Sequence, residues 1–455
     1  KDCQMPLSGL NRRDLLQVGC SSYLGLSLSN LLAQQAQAGN GQRAKSVILV
    51  FLTGGGSHID SFDPKPDNST IKGEFSPIAT KTPGLQFTEH VPQLAQRTDK
   101  FALIRSLAHG DNRHLSGTHN TLTGTPQIPR GNANEDKELS RLDWPCYGGG
   151  LQRVRPATNG LPTQVTVPLP LIEGSLTWPG QHAGFLGPEY DPLQVNSDPN
   201  SKKFKVNGIQ LLDGMTTSRL TNRKELLTDL NRQKTNLDQL ARRIQFTNQQ
   251  EAAFSMLASG KLTEAFNINK EPEALREKYG RSRMGQSILL ARRLVEHGVP
   301  YVQANMGIVQ TWDTHSSNFP KLKDRLLPAI DTGVSALMDD LEDRGMQDDV
   351  LVIVVGEFGR SPSITKNGTD PKPGRGHWAP CYTGLFYGAG VQGGKIIGKS
   401  DKTGGYPAST PYHPNDIGAT VYQTLGIDPH SMLVDRQQRP IPLNTGKVLD
   451  VLYTG

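Results

Sequence analysis

The sequence predicts an α/β fold, a doubly wound and mostly parallel sheet flanked by helices, and three observations carry that expectation. Four short apolar or β-branched runs, SVILVFL (46–52), FALIRSL (101–107), PYVQANM (300–306) and VLVIVV (350–355), have the length and character of strands buried on both faces. Two segments with helical periodicity stand directly before strands: QSILLARRLVEHG (286–298), closing on Gly298, and LLPAIDTGVSALMDDLEDRG (326–345). Each apolar run then empties into a loop dense in His, Asp or Glu, and in a doubly wound sheet ligands gather beyond the carboxyl ends of the strands.

At the N-terminus, GLNRRDLLQVGCSSYLGLSLSNLLAQQAQAGN places an arginine pair before an uncharged, mildly apolar stretch that closes on Ala36-Gln37-Ala38, a small-x-small cleavage pattern. Residues 1–38 therefore resemble a twin-arginine export signal, with a basic amphipathic helix as the other reading. Export puts the body of the chain in the periplasm or outside the cell. Cleavage near Ala38 leaves Cys146 and Cys381, which permit one disulfide; whether they pair stays open.

Residues 45–455 read as one α/β domain. Within it, 126–215 is rich in Pro, Gly and Asn with little periodicity, as expected of a loop-rich insertion or cap. Residues 218–258 carry Leu220, Leu227, Leu230, Leu237, Leu240 and Ile244 at the spacing of an amphipathic helix. No apolar run reaches the roughly 18 residues of an integral membrane span. The net charge of +6 comes from Lys, Arg, Asp and Glu interspersed along the chain, which describes a solvated mixed surface and not a nucleic-acid partner. No exposed apolar stripe decides the oligomeric state.

Four loops carry the chemistry. LTGGGSHIDSFDP (52–64) offers His58 and Asp60, either in a tight polar turn or at a metal or anion site. In TWDTHSSNF (311–319), Asp313 and His315 are two apart, so an extended segment points both to one side, where they bind one cation or decorate a surface turn. In GRGHWAPCYTG (374–384), His377 lies between Gly376, which allows close backbone approach, and Trp378, which shields a site from water; a histidine buried under an aromatic is the alternative. GEFGRSP gives Glu357 for a metal and Arg360 for bidentate capture of an oxyanion, unless the two neutralise each other. Together Asp313, His315, His377 and Glu357 form a divalent-metal set. Imidazole suits zinc, iron or nickel, and the carboxylates also accept magnesium, calcium or manganese.

In order along the chain, GGGSHIDSFDPKP, LLARRLVEHGVPYVQ, WDTHSSNF, VVGEFGRSP, GRGHW and YHPNDIGATVYQTLGID resemble the exported family DUF1501, which is related to the sulfatase and alkaline phosphatase superfamily. The resemblance implies an alkaline phosphatase/sulfatase-like α/β fold that holds one or two divalent metals and hydrolyses phosphate or sulfate esters. It implies that Asp313, His315 and His377 hold a metal. Glu357 and Phe358 stand where the superfamily carries an Asp-His pair, and phenylalanine is no ligand. HLSGTHNTLTG (114–124) ends like the sulfatase signature and puts His114 at the nucleophile's place. Gly376 stands where an Asp is usual. The superfamily's metal-binding aspartate at the end of the first strand falls on Thr53 or Gly54, leaving His58 and Asp60 to fold back into the gap. The reading is then an exported metal-dependent hydrolase of phosphate or sulfate esters. His114 serves as nucleophile or general acid, Arg360 binds the ester oxyanion, and His58 or Asp60 extends the metal set. The alternative is a catalytically silent domain that binds a sulfated or phosphorylated glycan, or a protein partner.

Overall fold

Every residue of SVILVF is buried, and successive side chains go to opposite faces: Ile48 and Val50 enter one core, Val47, Leu49 and Phe51 the other. Two-sided burial is what a continuous apolar run demands. The structure is a computed structural model that describes residues 42–127, 138–206, 219, 222, 260–366 and 372–454. The export-signal stretch 1–38 and nearly all of the amphipathic stretch 218–258 lie outside the described residues.

The strands that place the site are β1 (Ser46–Phe51), β2 (Phe101–Leu107), β3 (Gln164–Val167), β4 (Leu193–Gln194), β5 (Tyr301–Asn305), β6 (Val350–Val355), β7 (Gly359–Thr365), β8 (Gly374–Trp378), β9 (Tyr382–Tyr387) and β10 (Ile396–Ile397). Eight form one sheet in the order β10-β2-β9-β6-β1-β5-β3-β4. β1 lies parallel to β5 and β6, with Val47 opposite Tyr301 and Leu351. Only β9 runs against its neighbours in this sheet, so the expected mostly parallel sheet is present. β7 and β8 make a separate antiparallel hairpin after β6.

Among the described residues, five helices of eight residues or more cover the two faces. α1 (His114–Thr123), α2 (Tyr147–Val154) and α5 (Pro414–Thr424) bury Leu115, Leu151 and Val421 in the core that holds Leu49. α3 (Arg283–Glu296) and α4 (Leu327–Asp343) bury Ile288 and Leu337 in the core that holds Val50. Ser282 caps α3 by accepting the Gly285 N–H at 3.1 Å, and Gly298 at φ +97° turns the chain into β5. Helices on both faces make the sheet doubly wound.

Residues 126–215 do more than cover the domain, since the described part supplies β3 and β4 at one edge of the sheet. Cys146 and Cys381 are both buried and unbridged, and burial pushes each thiol up to about 12. Among the described residues no helix is long and apolar enough to cross a membrane.

Candidate metal centre

The loops that follow β1, β2, β5 and β6 converge beyond the carboxyl edge of the sheet. The turn after β1 carries Gly54 and Gly55, at φ +111° and +81°, and a Cβ on Gly54 would stand 2.6 Å from the Asp313 backbone nitrogen. Only glycine permits that approach, which seats the Asp313 loop against the first turn. His114 opens α1. Glu357 and Phe358 link β6 to β7, and the hairpin register sets His377 of β8 opposite Arg360 of β7.

Asp313 is the hub. Its Oδ1 lies 3.2 Å from His315 Nε2, 3.3 Å from His377 Nε2 and 2.5 Å from Arg360 Nη1, while Oδ2 lies 3.2 Å from His114 Nε2. The two imidazole nitrogens of His315 and His377 face each other at 2.8 Å. His377 Nδ1 lies 2.7 Å from the Asn112 carbonyl, which can only accept, so that nitrogen carries a proton and Nε2 is the atom turned to the cluster. Two imidazole nitrogens this close need a proton or a cation between them. His114, Asp313 and His377 also each bring one ligand atom to within 4.8 Å of the others.

The donor set fits a metal. Tetrahedral zinc with ligands at about 2.0–2.1 Å implies ligand–ligand separations of roughly 3.3 Å, close to the triangle of Asp313 Oδ1, His315 Nε2 and His377 Nε2. Burial lowers the His315 pKa, and His377 and Arg360 add to that against Asp313, so the ring is neutral near pH 7, as a ligand must be. Burial raises the Asp313 carboxyl, but His114, His377 and Arg360 more than reverse this and hold it well below the usual carboxylate range.

His114 sits between two carboxylates. Nδ1 meets Glu357 Oε1 at 2.8 Å and Nε2 faces Asp313. Burial lowers its pKa, but the Asp313 and Glu357 partners outweigh that and push it up to about 9. Glu357 is fully buried and anchored in turn, with both oxygens taking the Gly54 N–H at 2.9 and 3.0 Å.

The DUF1501 model, described as a protein of unknown function, matches residues 44–452. The chain belongs to the DUF1501 family. A comparison with curated proteins finds no match. Among solved structures, the PsFucS1 sulfatase from Pseudoalteromonas sp. has 12% identity and a TM-score of 0.39, over 87% of this chain and 72% of that one. The alkaline phosphatase from the Antarctic bacterium TAB5 has 13% identity and a TM-score of 0.37, over 84% and 98%. The lipoteichoic acid synthase LtaP from Listeria monocytogenes has 11% identity and a TM-score of 0.38, over 91% and 77%. At these scores the likenesses assign neither substrate nor ligand to the DUF1501 chain, and its site is read from its own side chains.

Several residues singled out in the sequence take other roles in this DUF1501 protein than the ones expected of them. Arg360 is fully buried, and all five of its N–H groups are engaged: Nε with Gly55 O at 2.9 Å, Nη2 with Gly54 O and Trp312 O, Nη1 with Asp313 and Arg375 O. It is a strut that fixes Asp313 to the glycine turn and has no donor left for an ester oxyanion. Asp60 is held by Arg375 at 2.7 and 2.9 Å, by Ser57 Oγ at 2.7 Å and by Asn318 at 2.9 Å, all inside the protein. His58 meets Gly404 O at 2.7 Å, and burial lowers its pKa. Neither His58 nor Asp60 turns to Asp313; both tie the first loop to the rest of the domain.

Other contributors carry no sequence signal of their own. Asn112 sets the His377 tautomer, and His109 Nε2 meets the Glu357 carbonyl at 2.6 Å. Trp178, fully buried and drawn from the 126–215 segment, packs its ring 5.3 Å from that of His114. Phe358 packs 5.1 Å from His114 and 4.8 Å from His377. These rings do the shielding expected of Trp378, whose Nε1 donates instead to Gly405 O and whose ring meets Tyr406.

Proposed function

We propose that the chain is a metal-dependent hydrolase of phosphate or sulfate esters, working outside the cytoplasm, where the arginine-pair segment would direct it. The observation that carries the reading is the convergence of Asp313 Oδ1, His315 Nε2 and His377 Nε2 at 2.8–3.3 Å beyond the carboxyl ends of the sheet. These three residues would hold the metal, and Glu357, bonded to His114, shapes the site from behind. When bound, the metal supplies a Lewis acid for a phosphoryl or sulfuryl oxygen.

The remaining tasks fall to the chain itself. His114 with protons on both nitrogens has no lone pair with which to attack, so the geometry favours general acid over nucleophile. Glu357 fixes its Nδ1–H, and the proton on Nε2 faces the cluster. As a water oxygen bonds to the phosphorus or sulfur and gives up its proton to solvent, the ester bond breaks and its electron pair passes to the leaving oxygen, which takes the proton from His114 Nε2. α1 starts at His114, so its first N–H groups and the positive end of its dipole stand beside the cluster to receive an ester oxyanion. Phe358 and Trp178 keep water from His114.

The test is metal content together with turnover. Purified protein carries a divalent metal, His315→Ala loses it, and His114→Ala keeps the metal but loses hydrolysis of 4-nitrophenyl phosphate or sulfate. Metal content untouched by His315→Ala sinks the proposal. One observation favours a second reading, a silent binder of an anionic glycan: Arg360 has no free donor for an ester oxyanion. Metal without turnover on any ester selects it.

A further inference from the structure

A cleft of about 770 Å³ shares no residue with the metal cluster and is built largely from FDPKPDNS, a stretch the metal centre leaves unused. Its floor is a fixed charge group. The buried Asp63 carboxylate takes Lys65 Nζ at 2.9 Å, Arg105 Nη1 at 3.2 Å and the Ser400 hydroxyl. Lys65 gives a second hydrogen to Ser400 Oγ at 2.7 Å, so one of the three hydrogens of its ammonium remains. Two cations on one carboxylate leave the floor with a surplus positive charge. Pro64 and Pro66 on either side of Lys65 restrict the backbone, so little freedom is lost on binding.

The rim is of another kind. Asp67 and Lys402 are exposed and form no ion pair among the described residues, and the exposed side chains of Ser69 and Gln86 make no hydrogen bond there. Asp401, also in the lining, is already occupied by the Thr403 and Gly405 N–H groups, both at 2.9 Å. The rim thus offers free donors and free acceptors side by side, with no aromatic ring among the lining residues. An apolar or stacking ligand has nothing to rest on. A simple inorganic anion meets Asp67 and leaves most of the volume unfilled. A neutral polyol leaves the charge on the floor unanswered.

We infer that this cleft binds an acidic saccharide unit, with its acid group on Lys65 and its hydroxyls on Asp67, Ser69, Gln86 and Lys402. The volume falls in the range of small-molecule sites. The inference does not rest on the hydrolase reading, because binding here needs neither metal nor turnover.

The test is calorimetric titration of the full chain with glucose 6-sulfate, glucose 6-phosphate, glucuronate, glucose and inorganic sulfate. At least one of the three acidic sugars is expected to bind, with glucose and sulfate weaker by about tenfold or more, the worth of one charge-assisted hydrogen bond. Lys65→Met removes the preference for the acidic sugar over glucose. Asp67→Ala and Lys402→Ala, at exposed positions that spare the fold, weaken binding, while His315→Ala leaves it intact. The inference is overturned by absence of binding, by sulfate matching the sugars, by glucose matching the acidic sugars, or by binding that only His315→Ala abolishes. The last outcome would place the ligand at the metal cluster and leave the hydrolase reading standing.

Discussion

Counted hydrogen by hydrogen, Arg360 has nothing left for a substrate, and its chemistry lies in what it holds. Four backbone carbonyls, from Gly54, Gly55, Trp312 and Arg375, and one carboxylate, from Asp313, converge on a guanidinium that is fully buried. An ammonium has three hydrogens and no planar fork, so Arg360→Lys leaves buried carbonyls unpaired and loosens the ion pair with Asp313. Breaking such a buried pair costs about 3–5 kcal/mol. We expect Arg360→Lys to lower the unfolding free energy by up to that amount and to weaken metal retention, measured by chemical denaturation and elemental analysis. An arginine that only received substrate would keep its stability and lose affinity alone.

At the scale of elements, two joints tie separate segments together. The glycine turn after β1 joins it to the Asp313 loop. Gly54→Ala adds a Cβ 2.6 Å from a backbone nitrogen at a φ of +111°, whereas a Cβ on Gly376 meets nothing within 4 Å. Gly54→Ala is therefore expected to lose at least about 2 kcal/mol, from positive-φ strain plus overpacking, and Gly376→Ala to stay within about 0.5 kcal/mol of the parent, both read from unfolding curves. The second joint is Asp331 of α4, whose carboxylate accepts the Leu94 and Gln93 N–H groups at 2.7 and 3.0 Å and so caps the short helix Pro92–Ala95. Burial raises its pKa to about 6, against the opposing pull of those N–H groups and Arg97. Because the folded pKa lies above the unfolded value, the folded state binds more protons, and stability from this group falls as pH rises from about 4 to about 6. Asp331→Asn removes that part of the slope, which denaturation series at pH 4, 5, 6 and 7 will show; an unchanged slope assigns the dependence to other groups.

Across the whole molecule, what is readable in sequence is whatever the chain must write locally. β1, β2, β5 and β6 are legible because two-sided burial writes them as apolar runs, Asp313 and His315 because they share the loop after β5, and His377 because Gly376 and Trp378 flank it in GRGHW. β3 is not, since QVTV is four residues long and embedded in Pro- and Gly-rich chain, and its place is set by pairing with β5. Arg360 is misread because its partners are mostly carbonyls, which side-chain patterns do not mark. His58 and Asp60 are misread because Gly404 and Arg375 stand more than 300 residues away in sequence. Trp178 reaches His114 only through the fold. One consequence belongs to the molecule as a unit. The candidate metal residues lie on the loop after β5 and on β8, and these segments also touch Gly54 after β1 and Asn112 before α1, so a bound ion ties together much of the carboxyl edge of the sheet. Metal that binds the folded state alone stabilises it by about 2.7 kcal/mol at a hundred times its dissociation constant, which moves the melting temperature of a chain this long by about 3 °C. We expect zinc to raise the melting temperature by that order, a chelator to reverse the rise, and His315→Ala or His377→Ala to abolish it, while Asp67→Ala, in the separate cleft, keeps it in full. Melting curves that coincide with and without chelator in the unaltered protein would remove the metal from the account and leave Asp313, His315 and His377 as a polar clasp between loops.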